Sequence, residues 1–128
     1  MVVSIGGAGT FRRAAAWVGS RETPIFGVNT GHLGYLSDVS VADVSTFVAG
    51  LADGNFRIER RSLLQVDTNA GVALANRYAL NEVAILKNAS ASMLAMDTAV
   101  DTTMLNTYLG DGLIIATPTG STASNLSV

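Results

Sequence analysis

The sequence predicts an α/β part followed by a mainly β part, and three features carry that prediction. First, a short apolar run at residues 2–5 leads into Gly-Gly-Ala-Gly-Thr at positions 6–10, the pattern of a buried strand entering a glycine turn. Second, the alanine-rich residues 11–18 favour a helix, and residues 23–28 favour another buried strand. Third, beyond Phe56, short runs of β-forming residues alternate with turn residues.

Strand, helix and strand in that order make a βαβ unit, which implies a parallel sheet. Ser40 is expected to cap a further helix at residues 41–51, and Asp53 and Gly54 are expected to end it. The later β-type runs lie at residues 56–60, 63–67, 72–80, 82–86, 93–100, 104–109 and 113–116. We therefore predict a partial α/β domain at residues 1–55 and a partial all-β domain at residues 56–128.

The chain is unusually apolar for its 128 residues. Hydrophobic residues make up 48% and charged residues 14%, against roughly a quarter charged in ordinary soluble domains, and the mean hydropathy is +0.36. No apolar run approaches the ~18 residues that a membrane-spanning helix needs. Buried strands explain part of this composition, and we expect the rest to reflect a core piece that is incomplete at both ends.

Charge and cysteine content exclude several classes of function. The net charge is −2 and no block of like charges occurs, so we expect no nucleic-acid partner and no membrane partner. With no cysteine and a single histidine, the sequence has no zinc-binding pattern, and we predict no protein-held metal. No signal peptide is recognisable, so the cytoplasm is the expected compartment.

The glycine-rich positions 6–10 are the first pattern that carries chemistry. Glycines let a backbone approach a phosphate closely, and a helix that begins just after them offers free N–H groups to an anion. The pattern is not a P-loop, since no lysine follows in place, and it is not G-x-G-x-x-G, since Arg12 occupies the third glycine position. On these residues alone, a phosphate site and a plain strand-to-helix turn are equally good interpretations.

Two further patterns place polar groups beside apolar strands. Residues 27–35 (Gly-Val-Asn-Thr-Gly-His-Leu-Gly-Tyr) follow a strand of the parallel sheet, where ligands bind, although an ordinary loop with a hydrogen-bonded His32 explains them as well. Asn81 and Glu82 interrupt an apolar stretch, where burying them unpaired is costly. They are candidates to clamp ribose hydroxyls or an adenine amino group, and a bulge or hairpin turn is the alternative.

The fourth pattern, at residues 110–123, reads Gly-Asp-Gly-Leu-Ile-Ile-Ala-Thr-Pro-Thr-Gly-Ser-Thr-Ala. An apolar strand there connects an Asp-Gly turn to a loop with four hydroxyl side chains and a glycine. Small donors of this kind suit a phosphate or a ribose. A plain surface loop fits less well, because the strand before it is so hydrophobic.

Taken in order, the four patterns resemble those of NAD kinases, which carry Gly-Gly-Asp-Gly-Thr, Gly-Val-Asn-Thr-Gly-x-Leu-Gly, Asn-Glu, and Asp-Gly-Leu-Ile before Thr-Pro-Thr-Gly-Ser-Thr-Ala-Tyr. The resemblance covers essentially the whole chain, including Arg-Ser-Leu-Leu at positions 61–64. It implies transfer of a phosphoryl group from ATP or another donor to the 2′-hydroxyl of the adenosine ribose of NAD, which gives NADP. It also implies NAD as substrate, Mg²⁺ accompanying ATP, and a homo-oligomer, dimeric or tetrameric.

The resemblance also implies roles for individual residues. Asn81 and Glu82 would hold NAD, with Asn81 near the adenine, and Asp111 would contact the ribose or amide on the nicotinamide side. The nucleotide pocket would be lined by Tyr35 along the adenine together with Thr119, Thr122, Ala123 and Ser127. The phosphates would lie against Gly7, Gly9 and Thr10, with Arg13 close to the nucleotide.

The sequence departs from the family pattern at three positions. Ala8 stands where the family has aspartate, the expected base for the adenosine 2′-hydroxyl; Arg12 stands where an apolar residue is usual, and Ser124 replaces a tyrosine that packs on the ligand. Because a methyl group accepts no proton, we expect a chain that binds NAD and phosphorylates it poorly. The alternatives are a non-catalytic dinucleotide-binding module, a relative of the diacylglycerol and sphingoid lipid kinases, which share the glycine turn, and an inert truncated domain.

Overall fold

A parallel three-stranded sheet forms the N-terminal part of the chain. In the computed structural model, residues 1–31, 39–71, 73–89 and 92–124 are described, the side chains of residues 123 and 124 excepted. Strands β1 (Val2–Ile5), β2 (Ile25–Asn29) and β3 (Val39–Ser40) lie side by side in that order and are all parallel. Helix α1 (Ala8–Val18) connects the first two strands. The predicted parallel βαβ unit is therefore confirmed.

Helix α1 begins at Ala8, three residues before the predicted start at Phe11. Gly7 has an extended backbone, with φ −93° and ψ −171°, and its carbonyl accepts hydrogen bonds from Thr10 N at 3.0 Å and Phe11 N at 3.2 Å. The turn therefore occupies only the first two glycines, and the rest of the glycine-rich pattern already belongs to the helix. The prediction misplaced this boundary because it treated every glycine as part of the loop.

Helix α2 (Val44–Ala52) follows a short 3₁₀ turn at Val41–Asp43. The predicted cap, Ser40, does not bond a backbone amide; its hydroxyl donates to Asp43 Oδ2 at 2.6 Å instead. Phe47 stacks on Phe26 of β2 with ring centroids 4.2 Å apart, which holds α2 against the sheet. The predicted end of the helix at Asp53 and Gly54 is confirmed, since Gly54 has φ +73° and its N–H donates to Leu51 O.

Three antiparallel strand pairs follow in the described remainder of the chain. They are β4 (Leu64–Gln65) with β5 (Tyr78–Ala79), β6 (Glu82–Leu86) with β9 (Gly112–Ala116), and β7 (Leu94–Val100) with β8 (Thr103–Gly110). Helix α3 (Pro118–Ser124) follows the last strand. An α/β part followed by mainly antiparallel strands agrees with the predicted fold class.

Some strand predictions were wrong in the stretch between the two parts. Residues 56–60 form no strand, and of the predicted runs 63–67 and 72–80 only β4 and β5 are strands, Val72 lying outside the described residues. The segment after β9 is a helix, where the sequence predicted a loop. Pro118 stands at its first position, and Thr117 Oγ1 accepts a hydrogen bond from Gly120 N at 3.1 Å, which caps the helix.

The core is small, and one aromatic contact joins the two parts. The buried apolar side chains among the described residues are Ala15, Val18, Val28 and Leu80. Tyr78 of β5 lies on Gly19 at the end of α1, where a Cβ atom would come within 2.7 Å of its ring. Many large apolar side chains are exposed, as the composition predicts.

Candidate nucleotide-binding site

Gly6 is the glycine that the turn between β1 and α1 requires. Its φ is +145°, which side-chain-bearing residues rarely adopt, and a Cβ atom there would lie 2.6 Å from Thr10 Oγ1. Its N–H donates to Val28 O of the neighbouring strand at 2.9 Å. Sequence reasoning assigned the phosphate contacts to Gly7 and Gly9 and passed over Gly6, whose role is to shape the turn.

Neither the backbone conformation nor the packing of the protein requires glycine at positions 7 and 9. A Cβ atom at either position would meet no heavy atom within 4 Å, and both residues are exposed, as is Ala8 between them. Gly7 precedes α1, and Ala8 and Gly9 are its first two helical residues, whereas the N–H of Thr10, the third, already donates to Gly7 O at 3.0 Å. Arg13 lies one turn further along α1 with its side chain exposed. The predicted phosphate contacts therefore cluster at one open helix end.

Asn81 lies in the junction between β5 and β6, and Glu82 is the first residue of β6. Asn81 is 7% exposed, and its Oδ1 is buried without a hydrogen-bond partner among the described residues; the same holds for Glu82 Oε2. Buried acceptors without partners are rare, because each costs about 1–3 kcal/mol when left unpaired. These two atoms mark the position as one where a ligand donor would be stabilising.

Thr117 and Gly120 fasten α3 to this junction, and sequence reasoning missed both. Thr117 Oγ1 donates to Leu80 O at 2.6 Å, and Thr117 N donates to Asn81 O at 2.8 Å. Gly120 lies directly against the Asn81 backbone, so a Cβ atom there would clash with it. The signal was present as a threonine before a proline, the pattern of an N-cap, which was interpreted as a loop.

Three more predicted residues lie on helix α3, which Gly120 holds against the Asn81 backbone. Thr119 is 9% exposed and accepts a hydrogen bond on Oγ1 from Arg61 Nη1 at 3.3 Å, and exposed Thr122 donates to Thr119 O at 3.0 Å. Ala123 belongs to the same helix. Tyr35, His32 and Ser127 lie outside the described residues.

Asn29, from the second pattern, ends β2 as a buried residue. Its Oδ1 accepts a hydrogen bond from Gly31 N at 2.9 Å, which fixes the first turn of the loop that follows. The strand-end position agrees with the prediction for residues 27–35 as far as the described residues extend.

Asp111 lies at the other end of the β6–β9 ladder. Its Oδ1 is 2.8 Å from Lys87 Nζ, and its backbone oxygen accepts a hydrogen bond from Lys87 N at 2.9 Å. At roughly 3.4 Å per residue, the stretch from Asn81 to Lys87 separates the two ends by about 20 Å. The structure thus brings Asn81, Glu82 and Thr119 together, with Asp111 at a distance along the same ladder.

The larger of two surface cavities, about 460 Å³, lies between the C-terminal half of α1 and residues 74–78. Neither cavity is lined by a predicted site residue. Within the described ranges, no three His, Cys, Asp or Glu side chains gather into a group that could hold a metal. Nor does any helix in the described part of the chain have the length and hydropathy to cross a bilayer.

The chain has a parallel α/β part followed by an antiparallel β part. Polar groups that suit a nucleotide lie where its strands meet its helices. Comparison with known families assigns a domain to each of the two parts. Residues 1–56 match the ATP-NAD kinase N-terminal domain, and residues 80–128 match the ATP-NAD kinase C-terminal domain. The chain belongs to the NAD kinase family.

Individual relatives give the same result. The chain is 49% identical over 128 residues to NAD kinase of Bacteroides fragilis and 46% identical over 126 residues to that of Porphyromonas gingivalis. These alignments cover 100% and 98% of this chain but 44% and 43% of the relatives. The chain thus spans less than half the length of the curated relatives it matches.

Two solved structures share the fold. Yeast NADH kinase complexed with NADH superposes with a TM-score of 0.79 at 26% identity, covering 98% of this chain and 38% of that one. NAD kinase from Archaeoglobus fulgidus in complex with ATP gives 0.76 at 34% identity, covering 98% and 47%. Both neighbours are dinucleotide kinases rather than lipid kinases.

Proposed function

We propose that this chain provides the glycine turn and part of the dinucleotide site of an NAD kinase, which transfers a phosphoryl group from ATP or another donor to the 2′-hydroxyl of the adenosine ribose of NAD. The observation that carries the proposal is the pair of buried, unpartnered acceptors on Asn81 and Glu82 beside the hydroxyl-bearing start of α3. An adenine amino group and ribose hydroxyls are donors that would satisfy those acceptors.

Each predicted residue has a corresponding role in the proposal. Asn81 bonds the adenine, Glu82 accepts from ribose hydroxyls, and Asp111 contacts the ribose or amide of the nicotinamide half. The pocket is completed by Tyr35, Thr119, Thr122, Ala123 and Ser127. The phosphates lie against Gly7, Gly9 and Thr10, where the open space at both glycines leaves room for them, and Arg13 adds positive charge nearby.

Neighbouring structures support the choice of ligands. The yeast protein was solved with NADH and the archaeal one with ATP. Mg²⁺ in our proposal arrives on the triphosphate, whose oxygens are its usual ligands in such sites. A cytoplasmic homo-oligomer, dimeric or tetrameric, is the form that we expect for the whole enzyme.

Ala8 limits the chemistry that this site performs. Phosphoryl transfer depends on positioning and on neutralising phosphate charge, and a carboxylate beside the attacking hydroxyl accepts its proton and orients it. Ala8 is exposed at the first position of α1, and a methyl group does neither. The same observation favours a second candidate, a dinucleotide-binding module without turnover, which would bind NAD and form no NADP.

Replacing Ala8 by Asp tests the catalytic proposal. We expect Ala8→Asp to raise the rate of NADP formation from NAD and ATP by about 10²–10⁴ while the dissociation constant for NAD changes little. Ala8→Asn is the matched control, because the amide has nearly the same shape and cannot act as a base. Equal rates for the two variants, or no NADP from either, would contradict the role of position 8 and favour the binding module.

A further inference from the structure

Lys87 is the only lysine in the sequence, and its side chain joins two strand pairs. Its Nζ lies 2.8 Å from Asp111 Oδ1 and donates to Ser92 O at 3.2 Å, while its backbone N–H donates to Asp111 O at 2.9 Å. Lys87 follows β6, Asp111 separates β8 from β9, and Ser92 precedes β7. The lysine therefore fixes Asp111 from both its backbone and its side chain.

The two partners of this ion pair differ in exposure. The Lys87 side chain is 29% exposed, whereas that of Asp111 is 76% exposed. A ligand at this end of the β6–β9 ladder would meet a carboxylate that is largely open to solvent. That carboxylate has a positive charge held 2.8 Å from one of its oxygens, so the pair as a whole has no net charge.

The charge of the carboxylate matters for the nicotinamide half of a dinucleotide, which the proposed function brings to Asp111. The nicotinamide ring carries a positive charge in NAD and none in NADH. A carboxylate beside the ring attracts the cation and has no such attraction for the neutral ring. A nearby ammonium opposes that attraction, so the Lys87–Asp111 pair discriminates less between the two forms than Asp111 alone would.

We propose that Lys87 is a specificity-determining residue of the nucleotide site, which fixes the Asp111 carboxylate and offsets its charge, and so narrows the preference for NAD over NADH. This inference rests on the proposed function, which supplies the dinucleotide and its contact with Asp111. It deepens that function, because it concerns which redox form of the substrate the site takes. Lys87 acts through Asp111 and is therefore a positioning residue.

Calorimetric titration of the 128-residue chain with NAD and with NADH tests the proposal through one quantity, the dissociation constant for NADH divided by that for NAD. Lys87→Met should raise this ratio about two- to fivefold, because the carboxylate loses its counter-charge. The variant keeps the backbone bond to Asp111 O. Lys87→Arg should keep the wild-type ratio, because it retains the positive charge.

Arg60→Met is the matched control for the loss of one positive charge. Arg60 is 87% exposed and lies 3.9 Å from Glu22, so it takes no part in the contacts of Asp111. We expect its ratio to equal that of the wild type. The same change in Arg60→Met as in Lys87→Met would show an effect of net charge alone and overturn the inference.

Asp111→Asn provides a second test with the opposite sign. The ammonium then lacks its counter-charge and disfavours the cationic ring, so the ratio should fall below that of the wild type. Combining Lys87→Met with Asp111→Asn should return the ratio close to the wild-type value, because neither charge remains. A ratio that rises or stays the same in Asp111→Asn would contradict the proposal, and it would do so even if Lys87→Met failed to fold.

The outcomes separate this inference from the function on which it rests. Adenosine has no nicotinamide, so its affinity should be the same in all of these variants. Equal losses of NAD and NADH affinity in Lys87→Met would show a purely structural role and overturn the inference alone. A wild-type chain that binds neither NAD nor NADH would overturn the proposed function, and this inference with it.

Discussion

Thr117 shows how a single buried hydroxyl holds the candidate site together. Its Oγ1 donates to Leu80 O and accepts from Gly120 N, so it ties the strand junction to the start of α3. Both bonds are short enough to be well formed, at 2.6 and 3.1 Å, and the residue is buried. The orientation of Asn81 therefore depends on a residue that would not itself touch a ligand.

Thr117→Val should destabilise the chain by about 1–3 kcal/mol, because valine has the same shape but leaves Leu80 O and Gly120 N without these partners. Urea unfolding followed by circular dichroism measures the change. Thr122→Val is the control: Thr122 is exposed and its hydroxyl donates only within the same helix, to Thr119 O, so we expect a change within about 0.5 kcal/mol. Equal effects for the two variants would contradict the role assigned to Thr117.

At the scale of elements, the β6–β9 ladder is the frame on which both ends of the site lie. Gly112 of β9 faces β6 so closely that a Cβ atom would be 2.5 Å from Ile85 O and 2.8 Å from Leu86 Cδ2. Gly110, two residues earlier, has only Gly112 O at 3.8 Å. The close approach of the two strands thus depends on glycine at one position and not at the other.

Gly112→Ala should cost about 1–3 kcal/mol, since the strands must separate to admit a methyl group. Gly110→Ala should change stability by less than about 0.5 kcal/mol, because the added atom meets ordinary van der Waals distances. Thermal unfolding of the two variants, measured in parallel with the wild type, gives both changes in stability. A Gly110→Ala variant that is the less stable of the two would contradict this account of the ladder.

The strands whose bounds were predicted best are those that pair with another strand along most of their length. The prediction for β6 matched its bounds, those for β7 and β9 differed by one residue at one end, and that for β8 differed by one residue at each end. Residues 56–60 have the same kind of composition, yet Phe56 and Ile58 are 50% and 59% exposed and no described strand pairs with them. Pairing depends on tertiary contacts, which a local pattern does not contain.

Site residues could be predicted where their sequence neighbours alone point to a role, and were missed where the role depends on a contact distant in sequence. Asn81 and Glu82 were identifiable as polar residues in an apolar stretch, and the structure shows their buried, unpartnered oxygens. Arg61 and Gly120 matter because of residues far away in sequence, Thr119 and the Asn81 backbone respectively. Contacts of that kind become visible only once the chain has folded.

In the whole molecule, we propose that two separated turns, the glycine turn before α1 and the junction at Asn81, bind one ligand. The glycine turn begins α1, Tyr78 fastens the other end of α1 to β5, and β5 leads through Leu80 to Asn81. The two turns are thus connected through packed residues, while a cavity of about 460 Å³ lies beside Tyr78 at the far end of α1. The packing between α1, β5 and Asn81 sets the distance between the two turns, so this packing decides whether one dinucleotide can contact both.

Titration of the isotope-labelled chain with NAD, followed by amide chemical shifts, tests whether both turns bind the same NAD molecule. We predict that the amides of residues 6–10, of Thr117 and of residues 119–122, together with the side-chain amide of Asn81, shift along one saturation curve. The outer part of the β7–β8 hairpin should remain unchanged. Shifts confined to the groove between Trp17 and Tyr78, or a response from only one of the two turns, would contradict the account.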